Sequence, residues 1–387
     1  MKQRFLTVFY YSDIGLQHLY KDVGSIPLGL SKYCGWDTSF AYVNLSGEIY
    51  EPSYGEFVHL LPIPCRDSSF ISLCKFLWTH ITEYDVLNFY HLSRKHLILI
   101  GIARIRNPKI RIYVKLDMGR EAFLAKRMRT RIWWYQLATR VARAGNLLPD
   151  LCTVETCSYV EQLDRMPLYH KRIKYLPNGF WPDPAEEEGT SAVCPSDKEN
   201  IILTVGRLGT PQKNTEMLLS AYSCIPKKIR KDWKLYLVGT YTDEIRALGK
   251  RLCERDPSLQ EQIVWTGNIS DKALLGQYYA RAAIFCLPSR WESFGIVVVE
   301  AMHHGCFPVL TDCCDAFSDL TDHGKYGRII PNEDPEALTQ ALVDAIQHKS
   351  ECVKNGFLAK AYIDQNFSWE NIVKRLQGYL EDANQKE

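Results

Sequence analysis

The chain reads as an α/β protein of two domains, each a parallel sheet wound with helices in the Rossmann-like manner. Three observations predict this. Its 387 residues suffice for two domains of ordinary size. Apolar runs of strand length recur with helical patterns between them, and several are apolar throughout, as strands buried on both faces are. One stretch, 183–200, mixes Pro, acids, Gly and Ser without periodicity, which suits a linker. The expected organisation is a domain over 1–182, a linker over 183–200, a domain over 201–365 and a closing segment over 366–387.

In the first half, Phe5 to Tyr10 is a central strand. Tyr20 to Pro27 follows as a turn containing Gly24, with a helical pattern from Leu28 to Tyr33. Strand, glycine turn and helix form the geometry that holds a phosphate at a helix N-terminus, although a plain turn glycine is the simpler reading of Gly24. No Gly-Lys-Ser/Thr follows it, and no GxGxxG is present. Thr38 to Val43 and Phe57 to Leu61 are strands, and Phe70 to Thr82 is an amphipathic helix. The strand Asp85–Tyr90 ends at His91, a helix runs from Lys95 to Arg106, and the strand Ile110–Leu116 ends at Asp117. His91 and Asp117 thus fall at C-terminal strand ends, the edge where such sheets bind ligands. A lone His after a strand is more often structural. Asp117 is either a ligand contact or the N-cap of a segment beginning at Met118.

In the second half, Leu176 to Phe180 forms a turn, and Ile201 to Leu208 is a buried strand running into Gly206 and Arg207. Lys213 comes six residues after Arg207, ahead of a helix from Thr215. A glycine there lets backbone approach a ligand, while Arg offers a bidentate fork and Lys a point charge to a diphosphate. Lys234 to Val238 and Ile263 to Gly267 are strands, and Asp271 to Ala282 is a helix. Ala283 to Leu287 is a buried strand ending at Pro288-Ser289. Beyond it, Glu292 and Glu300 bracket seven residues that open with Ser293-Phe294-Gly295 and close in an apolar run. Gly305 stops the helix that follows, and Pro308 to Leu310 is the next strand. This is a strand-to-helix crossing, where free N–H groups and a positive helix end face outward. Glu292 lies in the loop and Glu300 one to two turns into the helix, so both can address one ligand. Pro335 to Gln347 and a last segment from Trp369 to about Leu380 are helices.

Composition narrows the partners. A hydrophobic share of 46% with 24% charged residues is that of a water-soluble globular protein, and a net charge of +2 gives no general attraction to nucleic acid. The apolar run Phe5–Tyr11 is only strand length, and no stretch reaches about 18 apolar residues, so neither a signal peptide nor a membrane span is expected. The thirteen cysteines are scattered with no CxxC pair, which suits reduced thiols in the cytoplasm and no zinc site. Between Arg104 and Arg131 there are ten Lys or Arg and only Asp117 and Glu121 as acids, with Trp133-Trp134-Tyr135 directly after. That run is either a solvated basic helix face or a contact with anionic lipid head groups at the membrane's inner face.

The Glu292-x7-Glu300 element, with Pro288-Ser289 before it, Phe294-Gly295 inside it and Glu300-Ala301-Met302 closing it, resembles the signature of retaining glycosyltransferases of family 4. Those enzymes have the GT-B fold, two Rossmann-like domains facing a central cleft. The resemblance covers most of the chain, strongly over 201–331 and thinly before residue 150. It implies that Glu292 contacts the donor sugar and Glu300 the nucleotide ribose. Arg207 and Lys213, at the family's Gly-Arg…Lys spacing, would grip the diphosphate. Gly206, Gly267, Ser293, Phe294 and Gly295 would line the donor. Gly24 stands where the family has a Gly-Gly turn, and Asp117 where many members have a sugar-binding His. Leu176 to Phe180 resembles the Pro-Asn-Gly turn that ends the first domain, and the last helix would cross back onto that domain. The resemblance further implies a UDP- or GDP-sugar donor, a glycan or polyprenyl-diphosphate-linked acceptor, no metal and no cofactor. Capsule, exopolysaccharide or lipopolysaccharide assembly is the setting it suggests, with a GT-B sugar epimerase or a catalytically silent scaffold subunit as the alternatives.

Overall fold

The computed structural model describes residues 2–9, 22–44, 56–65, 68–117, 119, 123–125, 133–182 and 193–382. The chain divides into two compact units, residues 1–179 with 369–387, and residues 180–368.

The first unit is built on strands β1 (Arg4–Phe9), β2 (Asp37–Asn44), β3 (Val58–Pro64), β4 (Val86–Tyr90), β5 (Arg111–Leu116), β6 (Leu151–Val154) and β7 (Ile173–Tyr175). They form one parallel sheet in the order β3-β2-β1-β4-β5-β6-β7. Side-chain alternation sorts the residues by face. Leu6, Val8, Leu87, Phe89, Ile112 and Val114 share a core with Leu73 and Leu77 of the helix Ser69–His80, Leu99 and Ala103 of Arg94–Arg106, and Ala142 of Trp133–Ala144. The helices Asp22–Cys34 and Trp369–Asp382 pack on each other within the same unit, so closely that a Cβ on Gly29 would lie 2.6 Å from Val373 Cγ1.

Three expectations change here. Gly24 lies inside the first turn of the helix Asp22–Cys34, not in a turn ahead of a helix starting at Leu28. Pro27 argues for a break, since a proline inside a helix costs about 3 kcal/mol, but Val23, Ile26, Pro27 and Leu30 are all buried and their packing outweighs that. Secondly, the basic run 104–131 is not one helix. Arg104 and Arg106 end one helix, Arg111 to Leu116 is strand, and residues 126–132 lie outside the described residues. Lys115 is wholly buried, its Nζ donating to Leu176 O at 3.1 Å and lying 3.5 Å from Glu155 Oε1. Thirdly, the stretch 183–200 is not linker throughout. Residues 183–192 lie outside the described ones, but Pro195–Asp197 is a helical turn and the next strand already begins at Glu199. Met118, which would open the segment for which Asp117 was a candidate cap, lies outside the described residues.

The second unit holds β8 (Glu199–Val205), β9 (Lys234–Val238), β10 (Ile263–Gly267), β11 (Ala282–Leu287), β12 (Phe307–Thr311) and β13 (Arg328–Ile330). All are parallel, in the order β10-β9-β8-β11-β12-β13. Strand order reverses between β8 and β11, so the loops leaving these two strands flank the switch point where ligands of such sheets bind. One core places Ile202, Leu235, Ile284 and Val309 against the helices Thr215–Cys224 and Pro335–Gln347. Another, on the opposite face, places Leu203, Phe285 and Leu310 against Ile296–His303 and Lys349–Phe367.

At the ligand edge of this sheet the backbone is unusually close. Gly206 N donates to Val238 O at 2.9 Å and Gly239 N to Gly267 O at 2.8 Å. Gly239 has φ +133°, and a Cβ there would sit 1.8 Å from Gly206 O. Only glycine fits. Gly239→Ala should therefore lower the unfolding free energy by about 2–4 kcal/mol in denaturant titration, from strain and overlap together; an alanine variant of wild-type stability would contradict the close approach.

The first unit carries an acid-sensitive contact. His96 is 2% exposed, accepts a hydrogen bond at Nδ1 from Ser93 N at 3.1 Å, and packs on Phe89. Burial, helped by the neighbouring His91, lowers its pKa from 6.5 to about 4. Between those values the unfolded chain binds a proton that the folded chain refuses. The stabilisation is complete above pH 6.5 and fades as pH falls towards 4, a loss of about 3 kcal/mol. Urea unfolding at neutral pH and near the lower end of this range should show that loss, and His96→Gln should lack it.

Candidate active site

Two loops make the site, one after β8 and one after β11. The first contains Gly206, Arg207, Gln212 and Lys213 and ends at Asn214, which takes a left-handed conformation as N-cap of the next helix. It is folded on itself by Thr210 Oγ1 donating to Arg207 O at 2.9 Å and by Lys213 N donating to Thr210 O at 3.1 Å. The second runs from Pro288 to Gly295. Arg290 N donates to Gln212 O at 2.8 Å, so the two loops are joined through their backbones. Thr311 Oγ1 donates to Ser289 O at 2.6 Å and anchors the second loop to β12.

Glu292 is the meeting point. Its Oε1 accepts from Lys213 Nζ at 2.5 Å and from Ser289 Oγ at 2.8 Å, and its Oε2 accepts from Gln212 Nε2 at 3.3 Å. Gln212 also donates to Trp291 O at 3.1 Å and accepts from Arg207 Nη2 at 2.7 Å. The Lys213 and Glu292 side chains are only 12% and 9% exposed. Arg207 is exposed and commits one of its five N–H donors to Gln212. Arg207 and Lys213, six residues apart, are thus joined in one hydrogen-bonded group with Glu292, 79 residues beyond Lys213.

The helix Ile296–His303 begins immediately beyond, with Gly295 as its cap at φ +87°. A Cβ at Gly295 would come within 2.6 Å of the Phe317 ring, so the turn that aims this helix depends on glycine. The unsatisfied N–H groups and positive end of that helix lie beside the Glu292 loop. Glu300, in its second turn, accepts from Tyr279 OH at 3.1 Å. Tyr279 is 1% exposed, and its phenol is pushed well above its usual pKa by burial first and by Glu300 second, so it remains a hydrogen-bond donor. Burial likewise pushes the Cys313 thiol up to about 12, which keeps it protonated near the loop.

The remaining predicted residues fall as follows. Ser293 accepts a bond at its carbonyl from Cys314 Sγ, 3.3 Å away. The Phe294 ring is 3% exposed and packs in the core near Phe367, so its side chain does not line a ligand surface; the sequence could not separate a core aromatic from a pocket one. Gly267 has φ +75° with open space where a Cβ would be. Asp117 is exposed at the end of β5, and it belongs with Gly24 to the first unit. His91 N donates to Lys115 O at 2.9 Å, which closes β4 onto β5. Sequence reasoning missed Gln212, Tyr279 and Ser289 as partners of these groups. Ser289 and Gln212 flank residues already singled out, whereas Tyr279 gives no signal beyond an apolar helix position. Among the described residues, no three His, Cys, Asp or Glu side chains converge as metal ligands would.

Residues 199–348 match the family described as Glycosyl transferases group 1. This stretch is similar to a group 1 glycosyltransferase domain. It contains every residue of the Arg207–Gln212–Lys213–Glu292 group and also Glu300. The chain is similar to the lipopolysaccharide core biosynthesis mannosyltransferase LpcC of Rhizobium leguminosarum bv. viciae, 28% identical over 195 residues, or 49% of this chain and 53% of that one. It is also similar to the phosphatidyl-myo-inositol mannosyltransferase of Mycolicibacterium smegmatis, 30% identical over 164 residues, or 41% of this chain and 39% of that one. The chain spans about half the length of the curated relatives it matches. Among solved structures, the lipopolysaccharide outer core galactosyltransferase WaaB aligns with a TM-score of 0.69 at 14% identity over 99% of both chains. Anabaena Alr3699/HepE in complex with UDP and glucose aligns with a TM-score of 0.65 at 16% identity, over 98% of this chain and 100% of that one. At such identities the likeness concerns the fold, which is GT-B, with two Rossmann-like parallel-sheet domains.

The Lys213–Glu292 pair should be measurable without substrate. A double-mutant cycle on Lys213→Met and Glu292→Gln, read by denaturant unfolding, should return a coupling of about 1–3 kcal/mol. Simple additivity would mean the pair does not persist in solution.

Proposed function

We propose that the protein is a retaining glycosyltransferase that moves a sugar from a nucleotide diphosphate-sugar to a glycan or lipid-linked acceptor. The observation that carries this reading is the single group formed by Arg207, Gln212, Lys213 and Glu292 at the switch point of a group 1 glycosyltransferase domain. Arg207 and Lys213 hold the donor diphosphate with the N-terminus of the helix Ile296–His303. Glu292 takes the sugar hydroxyls, and Glu300, steadied by Tyr279, takes the ribose. Gly206, Gly267, Ser293, Gly295 and the Phe294 backbone complete the donor surface.

As the glycosidic bond breaks, negative charge grows on the leaving phosphate. Fixed cations and N–H groups bind that charge more strongly in the transition state than in the ground state, which is what accelerates the step. The Glu292 contact holds Lys213 in place beforehand, so little reorganisation is needed. Because Arg207 and Lys213 supply positive charge, this reading assigns no role to a metal or a cofactor. A uridine or guanosine diphosphate donor fits two cations and a carboxylate for the ribose, and HepE, a fold relative, has been solved with UDP and glucose. Asp117, exposed at the end of β5, is assigned a sugar or acceptor contact, and Gly24 a backbone contact in the first turn of its helix. The relatives named for lipopolysaccharide core and phosphatidyl-inositol mannosylation favour cell-envelope glycolipid assembly, on the cytoplasmic side of the membrane.

The reading is tested by calorimetry with UDP and GDP and by release of nucleoside diphosphate from the donor sugars. Arg207→Ala and Lys213→Ala should each cut turnover by about 10²-fold or more, the scale of losing one transition-state donor. Near-normal turnover in both would remove the diphosphate assignment. Glu292→Ala should abolish sugar transfer while bare nucleotide still binds, whereas Glu300→Ala should weaken the bare nucleotide itself. An epimerised donor without any transfer product would overturn the transferase reading.

A further inference from the structure

Large apolar side chains left in solvent are few in the second unit, and most of them stand at the ligand edge. Tyr241 follows β9, Leu274 opens the helix after β10 and Trp291 follows β11, whereas Leu358 alone of the exposed large hydrophobics described there lies on the helix Lys349–Phe367. Trp291 is the largest of them and is 51% exposed, in the residue directly before Glu292.

The backbone that carries Trp291 is fixed on both sides. Before it, Arg290 is held by its N–H to Gln212 O at 2.8 Å and by its carbonyl, which accepts from Asn332 Nδ2 at 2.9 Å. The Arg290 guanidinium donates to Pro211 O at 2.7 Å and to Glu333 Oε1 at 2.7 Å, and pairs with Glu216 at 2.9 Å. After it, Glu292 accepts from Lys213, Ser289 and Gln212. Trp291 itself is held through its carbonyl, which accepts from Gln212 Nε2 at 3.1 Å. An indole has only two side-chain torsions, so a fixed backbone presents it with little entropy left to lose on binding.

Glu292 also needs a second contact if it is to orient a sugar. A carboxylate offers about four acceptor sites, and three of those on Glu292 are taken within the protein. The one that remains on Oε2 accepts a single hydroxyl, and a ring held at one point can swivel. A flat apolar surface one residue away fixes its plane, since a sugar ring has a face of C–H groups within its rim of hydroxyls. A nucleobase is flat as well, but it lies beyond the ribose, which the proposed reading gives to Glu300.

We propose that the Trp291 indole is a stacking platform for the apolar face of a sugar ring whose hydroxyl donates to Glu292. This deepens the proposed function and rests on its reading of Glu292 as a sugar contact. The ring that stacks is either the donor's or the acceptor's, and both present the same chemistry.

The test is saturation-transfer NMR on the full chain with the methyl α-glycosides of glucose, galactose and mannose as probes, alongside UDP and GDP calorimetry. Wild type should transfer saturation to the ring C–H protons of at least one glycoside. Trp291→Ala should weaken that binding about tenfold or more, and Trp291→Phe, which keeps a flat face, should retain most of it. The ring is half exposed, so both variants should unfold like the wild type and bind bare nucleotide unchanged. Saturating UDP-glucose or GDP-mannose that displaces the glycoside would assign the platform to the donor's sugar; a glycoside that stays bound would assign it to the acceptor's. Equal transfer from the Ala variant, or none from wild type, would overturn the platform. So would loss of bare nucleotide binding in the Ala variant, which would place a base on the indole. Glycoside binding by a wild type that binds no nucleotide would leave the platform standing and remove the transferase reading.

Discussion

The ion pair between Lys213 and Glu292 organises the second unit's ligand edge. It closes a carboxylate and an ammonium, both nearly out of solvent, at the point where two loops leave neighbouring strands. Such a pair carries a desolvation cost that the attraction only roughly offsets, so its contribution to stability is modest. Its contribution to order is larger. Ser289 and Gln212 also donate to the carboxylate, leaving one acceptor site on Oε2, and Gln212 passes the constraint on to Arg207. Two cations are thereby positioned by the protein itself, which the proposed electrostatic stabilisation of a diphosphate requires.

Backbone closeness makes that arrangement possible. Gly239 lets the end of β9 approach the carbonyl of Gly206, and Gly295 lets the second loop turn into its helix past Phe317. Side chains at either position would push apart the strand end or the helix end that present the polar groups. Deeper in the same unit, Lys198 Nζ donates to the carbonyls of Tyr279, Ala282 and His304. One buried ammonium thus ties the end of the helix Lys272–Arg281, the start of β11 and the turn after Ile296–His303, so that Tyr279 and Glu300 are held by a common base.

The first unit contains a counterpart in Lys115 and Glu155, both wholly buried at the corresponding sheet edge. Burial drives the Glu155 carboxyl well above its usual pKa, against the lowering pull of Lys115, and Asn178 donates to it at 2.5 Å. Here the pair faces protein instead of opening to solvent, and it binds the Leu176–Asn178 turn to the sheet. Chemically similar pairs therefore serve different ends in the two units, according to whether solvent can reach the cations around them.

Much of the fold was legible because long apolar strands and helices with caps announce themselves. Lys234–Val238, Ile263–Gly267 and Pro335–Gln347 lie where the pattern put them. The strands Leu151–Val154 and Ile173–Tyr175 did not, since four and three residues are too few to show a period. Nor did the helical start at Asp22, because proline and glycine in the sequence outweigh burial that only the packed chain reveals. On its own, then, the sequence determined the alternation of strand and helix, the sheet edge on which Arg207, Lys213, Glu292 and Glu300 stand, and the chemistry those residue types offer. Tertiary structure alone decided which of them touch, that Gln212 and Tyr279 mediate, that the Phe294 ring is core, and that Lys115 is buried while Ile98 and Ile105 are not. The reason is physical: local pattern sets direction along one chain, but contact and solvent exposure depend on segments that meet only after folding.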